Sequence, residues 1–116
     1  MNSISFEEFK KLDIRMGKVL SCEKVEGSEK LLKLEVDIGT DSSTGSGLGK
    51  RQIIAGIAQY YSPEKLIGKN FVFLANLEPK KLMGLESQGM ILCADQDGEP
   101  ICLAPVKDTP PGTTVR

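Results

Sequence analysis

A segment in the second half of the chain concentrates side chains that could bind a charged partner. Lys80 and Lys81 are adjacent cations in a stretch whose composition is typical of a loop. A short distance further on, Ser87 and Gln88 offer hydrogen-bonding groups and Met90 offers a flexible apolar side chain. Ammonium groups pair with phosphates, and hydroxyl and amide groups bond to phosphate and sugar oxygens. The segment contains no recognisable catalytic arrangement, so it favours binding over catalysis.

Residue types that support catalysis are scarce elsewhere in the chain. There is no histidine, which removes the commonest general base and the commonest transition-metal ligand at neutral pH. Cys22, Cys93 and Cys102 form no C-x-x-C motif and lie in or beside apolar stretches. We interpret them as free buried thiols rather than as metal or redox groups. The sequence therefore predicts a non-catalytic protein with no cofactor and no metal.

Charge is distributed unevenly along the chain. The net charge is −1, which argues against indiscriminate binding of nucleic acid. Residues 50–90 nevertheless hold six Lys and Arg residues against three Glu residues, whereas the segments on either side are net negative. The middle segment could form a basic patch, or its charges could be solvated on a surface of mixed sign.

The size of the chain suits one domain, which we assign to residues 1–116. No apolar run approaches the ~18 residues that a membrane span needs. The first residues, MNSISFEE, lack the basic and apolar regions of a signal peptide. We therefore expect a cytoplasmic protein without a membrane partner.

Hydrophobic alternation predicts five principal strands, which lie within residues 13–23, 32–38, 52–55, 71–75 and 90–94. Gly17 interrupts the first pattern and suggests a bend or a bulge. A capping-box pattern that starts at Ser5 predicts a short N-terminal helix, and Ser62-Pro63 predicts a one-turn helix between strands three and four. Residues beyond 101 are rich in Pro and form an extension.

This order of elements indicates a small closed barrel, because a sandwich would need about seven strands. The helix between the third and fourth strands favours the OB-fold in particular. We therefore predict an all-β fold: a five-stranded OB-fold barrel with a short N-terminal helix, a short helix between strands three and four, and a C-terminal extension. Residues 39–49, rich in Gly and Ser, are predicted to be a flexible loop whose role stays open.

Several motifs resemble the tRNA-binding domain family, whose members are free-standing dimeric proteins, domains of methionyl-tRNA synthetases and synthetase cofactors. The likeness covers nearly the whole chain, in order. The matching segments are 9–19 (FKKLDIRMGKV), 30–31, 51–58 (RQIIAGIA), 61–64 (YSPE), 75–84 (ANLEPKKLMG), 86–90 (ESQGM) and 111–116 (PGTTVR). The chain departs from the family at residues 25–29, where members usually carry a His-Pro pair, and in the longer loop 39–49.

The resemblance implies structure-specific binding of tRNA, with little dependence on the anticodon and with contact at the outer corner of the RNA. It also implies a homodimer, or an accessory domain of an aminoacyl-tRNA synthetase. Which of these applies, and which tRNAs are preferred, stays open. A second possibility is a peptide-binding export chaperone of the CsaA type, whose barrel is similar.

We expect the phosphate and sugar contacts to come from eight residues, which are Lys30, Arg51, Asn76, Lys80, Lys81, Ser87, Gln88 and Met90. Lys30 and Arg51 are placed at the edges of the second and third strands, on the face that OB-folds commonly use. For any one of them the alternative is an ordinary surface or turn role, and Asn76 in particular could bond to the backbone of a bend. Aromatic residues are 5% of the chain, so shape recognition is favoured over base stacking.

Overall fold

The fold is an antiparallel barrel, described here from a computed structural model that covers residues 1–39 and 49–116. Five strands form one sheet in the spatial order β3-β2-β1-β4-β7, and two small hairpins, β5–β6 and β8–β9, extend from it. The elements are α1 (Phe6–Phe9), β1 (Ile14–Lys24), β2 (Leu32–Asp37), β3 (Lys50–Ala55), α2 (Pro63–Leu66), β4 (Asn70–Leu74), β5 (Lys80–Leu82), β6 (Leu85–Ser87), β7 (Met90–Ile91), β8 (Cys93–Gln96) and β9 (Glu99–Cys102).

The barrel nearly closes where β3 meets the segment between β6 and β7. The N–H of Gln88 donates to the carbonyl of Gln52 at 2.8 Å, and the N–H of Gln52 donates to the side-chain oxygen of Gln88 at 2.9 Å. The N–H of Ile54 donates to Oγ of Ser87 at 3.0 Å. Two side chains therefore accept hydrogen bonds that strand carbonyls would accept in a regular ladder. The predicted all-β, OB-like barrel is confirmed, including α2 between β3 and β4.

The inward-facing residues of the strands form the core of the barrel. Alternation along β2 buries Leu32, Leu34 and Val36 completely, while the residues between them stay partly or fully exposed. The one-turn helix α2 contributes Leu66 to the same core. Its start follows the predicted Ser-Pro pattern, with Pro63 in the first turn.

The irregularity of β1 lies at a different residue from the one the sequence suggested. Pairing with β2 shifts register between Val19 and Ser21, so Leu20 is the extra residue of a bulge and remains exposed. Gly17 instead sits in regular pairing with Phe71 of β4. A Cβ atom there would lie 2.7 Å from side-chain atoms of both Val36 and Phe73. The glycine is needed for close packing rather than for a bend.

Lys80 and Lys81 lie on a strand, which corrects the loop that composition suggested. They belong to β5, which pairs with β6 in the register Lys80 to Ser87 and Lys81 to Glu86. Both residues of the connecting turn, Met83 and Gly84, have positive φ angles of 50° and 80°. Such a two-residue turn matches the twist of a hairpin. The signal was weak because Met is an unusual residue at the first turn position.

Hydrogen bonds join both terminal segments of the chain to the barrel. The capping box of α1 forms as predicted, since the N–H of Glu8 donates to Oγ of Ser5 at 3.1 Å and the Ser5 N–H donates to the Glu8 carboxylate. The C-terminal extension runs beside the first half of β1, where the N–H of Met16 donates to the carbonyl of Thr113 at 2.8 Å. Of the predicted loop 39–49, residues 40–48 lie outside the described residues.

Candidate nucleic-acid interface

Two adjoining depressions bring together most of the residues predicted to bind. The first, here called the apolar groove, has a volume of about 290 Å³ and lies between the β5–β6 hairpin, the end of β3 and the strands β7 and β8. The second, the mouth depression, has a volume of about 570 Å³ and lies at the end of the barrel where β1 begins and β2 and β4 end. Leu77 and Glu78 line both, so the two depressions form one continuous surface.

Lys80 and Lys81 lie on opposite faces of the β5–β6 hairpin. Lys80 lines the apolar groove, opposite Ser87 in the hairpin register. Lys81 is the next residue along the strand, so its side chain points to the other face of the hairpin, opposite Glu86. Both lysines are exposed. They can pair with phosphates on two sides of the same hairpin.

Ser87 holds the barrel closed. Its side chain is 6% exposed, and its hydroxyl accepts from the N–H of Ile54 and donates to the carbonyl of Gly89, each at 3.0 Å. The side-chain oxygen of the neighbouring Gln88 accepts from the N–H of Gln52. These hydrogen bonds fix the backbone from which Met90 projects, 42% exposed, over the apolar groove.

Asn76 connects the barrel mouth to the N-terminal segment. Its Oδ1 accepts from the N–H of Asp13 at 2.8 Å, and its Nδ2 donates to the carbonyl of Lys11 at 2.7 Å. The residue bonds to the backbone of a distant segment rather than to its own bend. It remains exposed and lines the mouth depression.

Arginines supply the positive charge of the mouth depression. Arg51 lies near the start of β3 and lines the depression. It pairs with the buried Val36, and cross-strand partners share one face of a sheet, so its side chain points to the inner side of the barrel end. Arg15 lines the depression as well, with its Nε 2.8 Å from Oδ1 of Asp13. Arg15 was not among the residues predicted from the sequence to bind. The signal available was its place within the FKKLDIRMGKV segment. Asp13 and Glu78 add negative charge to the same depression.

Lys30 stands apart from this surface. It precedes β2 and is exposed, its carbonyl accepts from the N–H of Ala58 at 3.0 Å, and its side chain lines neither the apolar groove nor the mouth depression. The structure thus brings together Arg51, Asn76, Lys80, Ser87 and Met90, with Gln88 and Lys81 on the adjoining backbone and hairpin.

One titratable group on the groove wall has a strongly shifted pKa. Burial, and next the neighbouring Cys102, raise the pKa of the Cys93 thiol to about 12. Cys93 is therefore a neutral thiol at physiological pH. Across residues 1–39 and 49–116 no cluster of three His, Cys, Asp or Glu side chains is suited to hold a metal ion. Within the same ranges no helix is long and apolar enough to cross a membrane.

The structure is a small barrel with arginines, lysines and exposed apolar side chains on one surface. These features are typical of a non-enzymatic domain that binds a charged macromolecule. Residues 14–114 match the family described as "Putative tRNA binding domain". The chain therefore belongs to this family of tRNA-binding domains.

Curated relatives support the same assignment. A methionine–tRNA ligase of Archaeoglobus fulgidus is 54% identical over 112 residues, which cover 97% of this chain and 16% of the ligase. A ligase of the same name from Methanothrix thermoacetophila is 50% identical over 113 residues, with the same coverage of both chains. The chain therefore spans about a sixth of the length of the curated relatives it matches. It is homologous to one domain of these ligases.

Solved structures of two whole chains are similar to the barrel. A MetRS related protein from Pyrococcus horikoshii superposes with a TM-score of 0.88 at 37% identity, and the match covers all of both chains. The chaperone CsaA from Bacillus anthracis str. Ames has a TM-score of 0.83 at 32% identity, over 99% of this chain and all of the other. The same barrel thus occurs in proteins named for different functions.

Proposed function

We propose that the domain binds tRNA through the continuous surface formed by the apolar groove and the mouth depression. The observation that carries the proposal is that Lys80 and Met90, on the groove, adjoin Arg51 and Asn76, at the mouth, through shared lining residues. Cations and amides on one curved surface suit the phosphates and 2′-hydroxyls of a folded RNA. Lys81 and Gln88 extend this surface, and Lys30, which lines neither depression, is left out of it.

Recognition of RNA shape is favoured over base stacking by the placement of the aromatic residues. Among the described residues, no aromatic side chain lines the apolar groove or the mouth depression. Phe71 and Phe73 are buried, and the exposed Phe6 and Tyr60 lie outside both depressions. Base stacking on exposed aromatics, which supplies about 1–3 kcal/mol per base in single-strand binders, is therefore poorly provided for. We expect the domain to prefer folded tRNA to single-stranded RNA of the same length.

A charge-removal experiment tests the proposal. The double substitution Lys80→Ala and Lys81→Ala is expected to weaken tRNA binding in a filter-binding titration. It should also lower the slope of log K against log salt by roughly 0.7–0.9 for each phosphate that the protein no longer neutralises. Both effects follow because fewer counterions are released from the RNA on binding.

A matched control removes the same charge from another part of the barrel. Lys65 and Lys69 are exposed near α2, at the end of β4 opposite to Asn76. Replacing both with alanine should leave affinity and salt slope close to those of the parent. Equal losses of affinity in the two double variants would show that only net charge matters, and would refute the assignment of the surface.

The relatives suggest the context in which the domain acts. We propose that it is an accessory, non-catalytic module that increases the hold of a methionyl-tRNA synthetase on tRNA, either joined to the enzyme or as a separate chain in the cytoplasm. We propose also that it forms a homodimer, because apolar side chains of the N-terminal segment and of the C-terminal extension are exposed, among them Phe6 and Val106.

A second candidate function is binding of unfolded peptide. The apolar groove favours it, because its lining includes Ile57, Leu77 and Leu82. The similarity to the structure named chaperone CsaA supports it as well. The test is competition: an unfolded peptide that displaces labelled tRNA at a similar concentration would favour a shared groove, whereas tRNA binding unaffected by peptide would favour the first proposal alone.

A further inference from the structure

The β8–β9 hairpin carries two cysteines that face each other. Cys93 and Cys102 are direct partners in the antiparallel register, and their sulfur atoms are 3.7 Å apart. Both are free thiols and half-buried. The sequence predicted free buried thiols and gave no indication that two of them would be neighbours.

The position of Cys93 and Cys102 in the β8–β9 pairing suits a disulfide bond between the two strands. The N–H of Leu103 donates to the carbonyl of Leu92, while the N–H of Cys102 donates to the hydroxyl of Tyr61. Cys93 and Cys102 are therefore a non-hydrogen-bonded pair, in which Cα atoms are about 4.5 Å apart and side chains approach closely. That separation lies within the range of disulfides, at its short end. A small rotation of the side chains brings the sulfurs together.

The pair can be reached by a small reagent. Cys93 lines the apolar groove and also a second, smaller depression of about 230 Å³ beside Tyr60 and Pro100. Among the described residues, the titratable groups around it are Tyr61 and Cys102 beside it, Glu78 and Lys80 on the groove, and Tyr60 and Asp95 on the other depression. Because burial and Cys102 raise the pKa of Cys93 to about 12, reaction through its thiolate is slow at neutral pH and faster in alkaline solution.

We propose that Cys93 and Cys102 are a modification site: a dithiol that a small-molecule disulfide, such as oxidised glutathione, converts reversibly into a cross-strand disulfide. A thiolate of the pair attacks the reagent and releases one reduced thiol, and the second cysteine then displaces the other reduced thiol. The two cysteine sulfurs lose two electrons and two protons, and the reagent takes them up as two thiols. The product joins β8 to β9 at the wall of the groove.

The experiment uses Cys22→Ala, which leaves only this pair in the chain. The folded protein is incubated with oxidised glutathione at about pH 8.5, near the ordinary pKa of a thiol, then quenched in acid, alkylated and weighed by mass spectrometry. We expect both thiols to disappear together, with a mass loss of two hydrogens, and dithiothreitol to restore them. The internal disulfide should exceed the mixed glutathione adduct by at least about tenfold, because the second thiol is held in place.

A second variant distinguishes a paired site from two packed thiols. Cys22→Ala with Cys102→Ser keeps Cys93 alone and should accumulate the glutathione adduct, which shows that the reagent reaches the hairpin. Two intact thiols in the first variant, a persistent adduct there, or chains linked to each other would overturn the proposal. Should Cys22→Ala fail to fold, peptide mapping of the natural chain for a link between residues 93 and 102 gives the same decision.

Discussion

Polar side chains in the segment 76–90 divide into those that bond to the protein and those that point outward. Ser87, Gln88 and Asn76 accept or donate hydrogen bonds to backbone groups of β3 and of the N-terminal segment. Lys80 and Lys81 are exposed on the hairpin. Residue type alone cannot separate these roles, because a hydroxyl or amide can serve a phosphate and a strand edge equally well.

Ser87→Ala tests this division at the level of one residue. The change leaves the buried N–H of Ile54 without its acceptor, so the free energy of unfolding should fall by about 1–3 kcal/mol, measured in urea. The affinity of the folded variant for tRNA should change by less than about threefold, because the hydroxyl faces the protein.

A control for this prediction is Ser21→Ala, at an exposed position of β1. Its free energy of unfolding should stay within about 0.5 kcal/mol of the parent. If Ser87→Ala kept full stability while tRNA affinity fell tenfold or more, the hydroxyl would instead be a contact to the RNA.

Among the elements, the five strands of the barrel were predictable from the sequence and the β5–β6 hairpin was not. Strict alternation over Leu32–Asp37 marks a strand with one buried face, and the Ser-Pro start marks α2. The strands β5 and β6 have three residues each, too few to show a period. The predicted strand 90–94 is divided into β7 and β8 at Leu92, since the chain leaves the barrel there to form the β8–β9 hairpin.

The role of Gly17 is set by packing in the core, which the alternation of residues in the sequence could not show. Gly17→Ala would place a methyl group 2.7 Å from side chains of Val36 and Phe73 in the core. We expect the free energy of unfolding to fall by about 1–3 kcal/mol, as for other overpacked cores, measured by chemical denaturation. Gly56→Ala is the matched control, because a Cβ atom there meets nothing within 4 Å. Equal stability of the two variants would mean that the core yields freely around β1.

At the scale of the whole molecule, the binding surface depends on contacts between residues that are distant in sequence. Arg15, Arg51 and Asn76 come together at the barrel mouth because β1, β3 and the end of β4 meet there. Arg51 and Asn76 were among the residues predicted to bind, whereas Arg15 was not, although it lies within the family-like segment 9–19. Lys30 was predicted to bind because it lies near the edge of a strand, but it lines neither depression.

Apolar side chains outside the barrel lead to the last prediction, which concerns assembly. Ile4 and Phe6 are 65% and 68% exposed in the N-terminal segment, and Leu103 and Val106 are exposed in the C-terminal extension. A symmetric dimer that covers them uses each residue twice, once from each chain. Since burial of one Phe contributes about 1.5–3 kcal/mol, Phe6→Glu should weaken dimerisation at least about 100-fold.

Sedimentation equilibrium at micromolar concentration measures the effect. The parent should sediment at twice the chain mass of 12.6 kDa, and Phe6→Glu at the mass of a single chain. Ile67→Glu, which introduces the same charge at an exposed apolar residue after α2, should remain dimeric. A parent that sediments as a single chain would exclude a tight dimer. Dissociation by both substitutions alike would indicate a general effect of added charge. It would contradict the placement of the interface at Phe6.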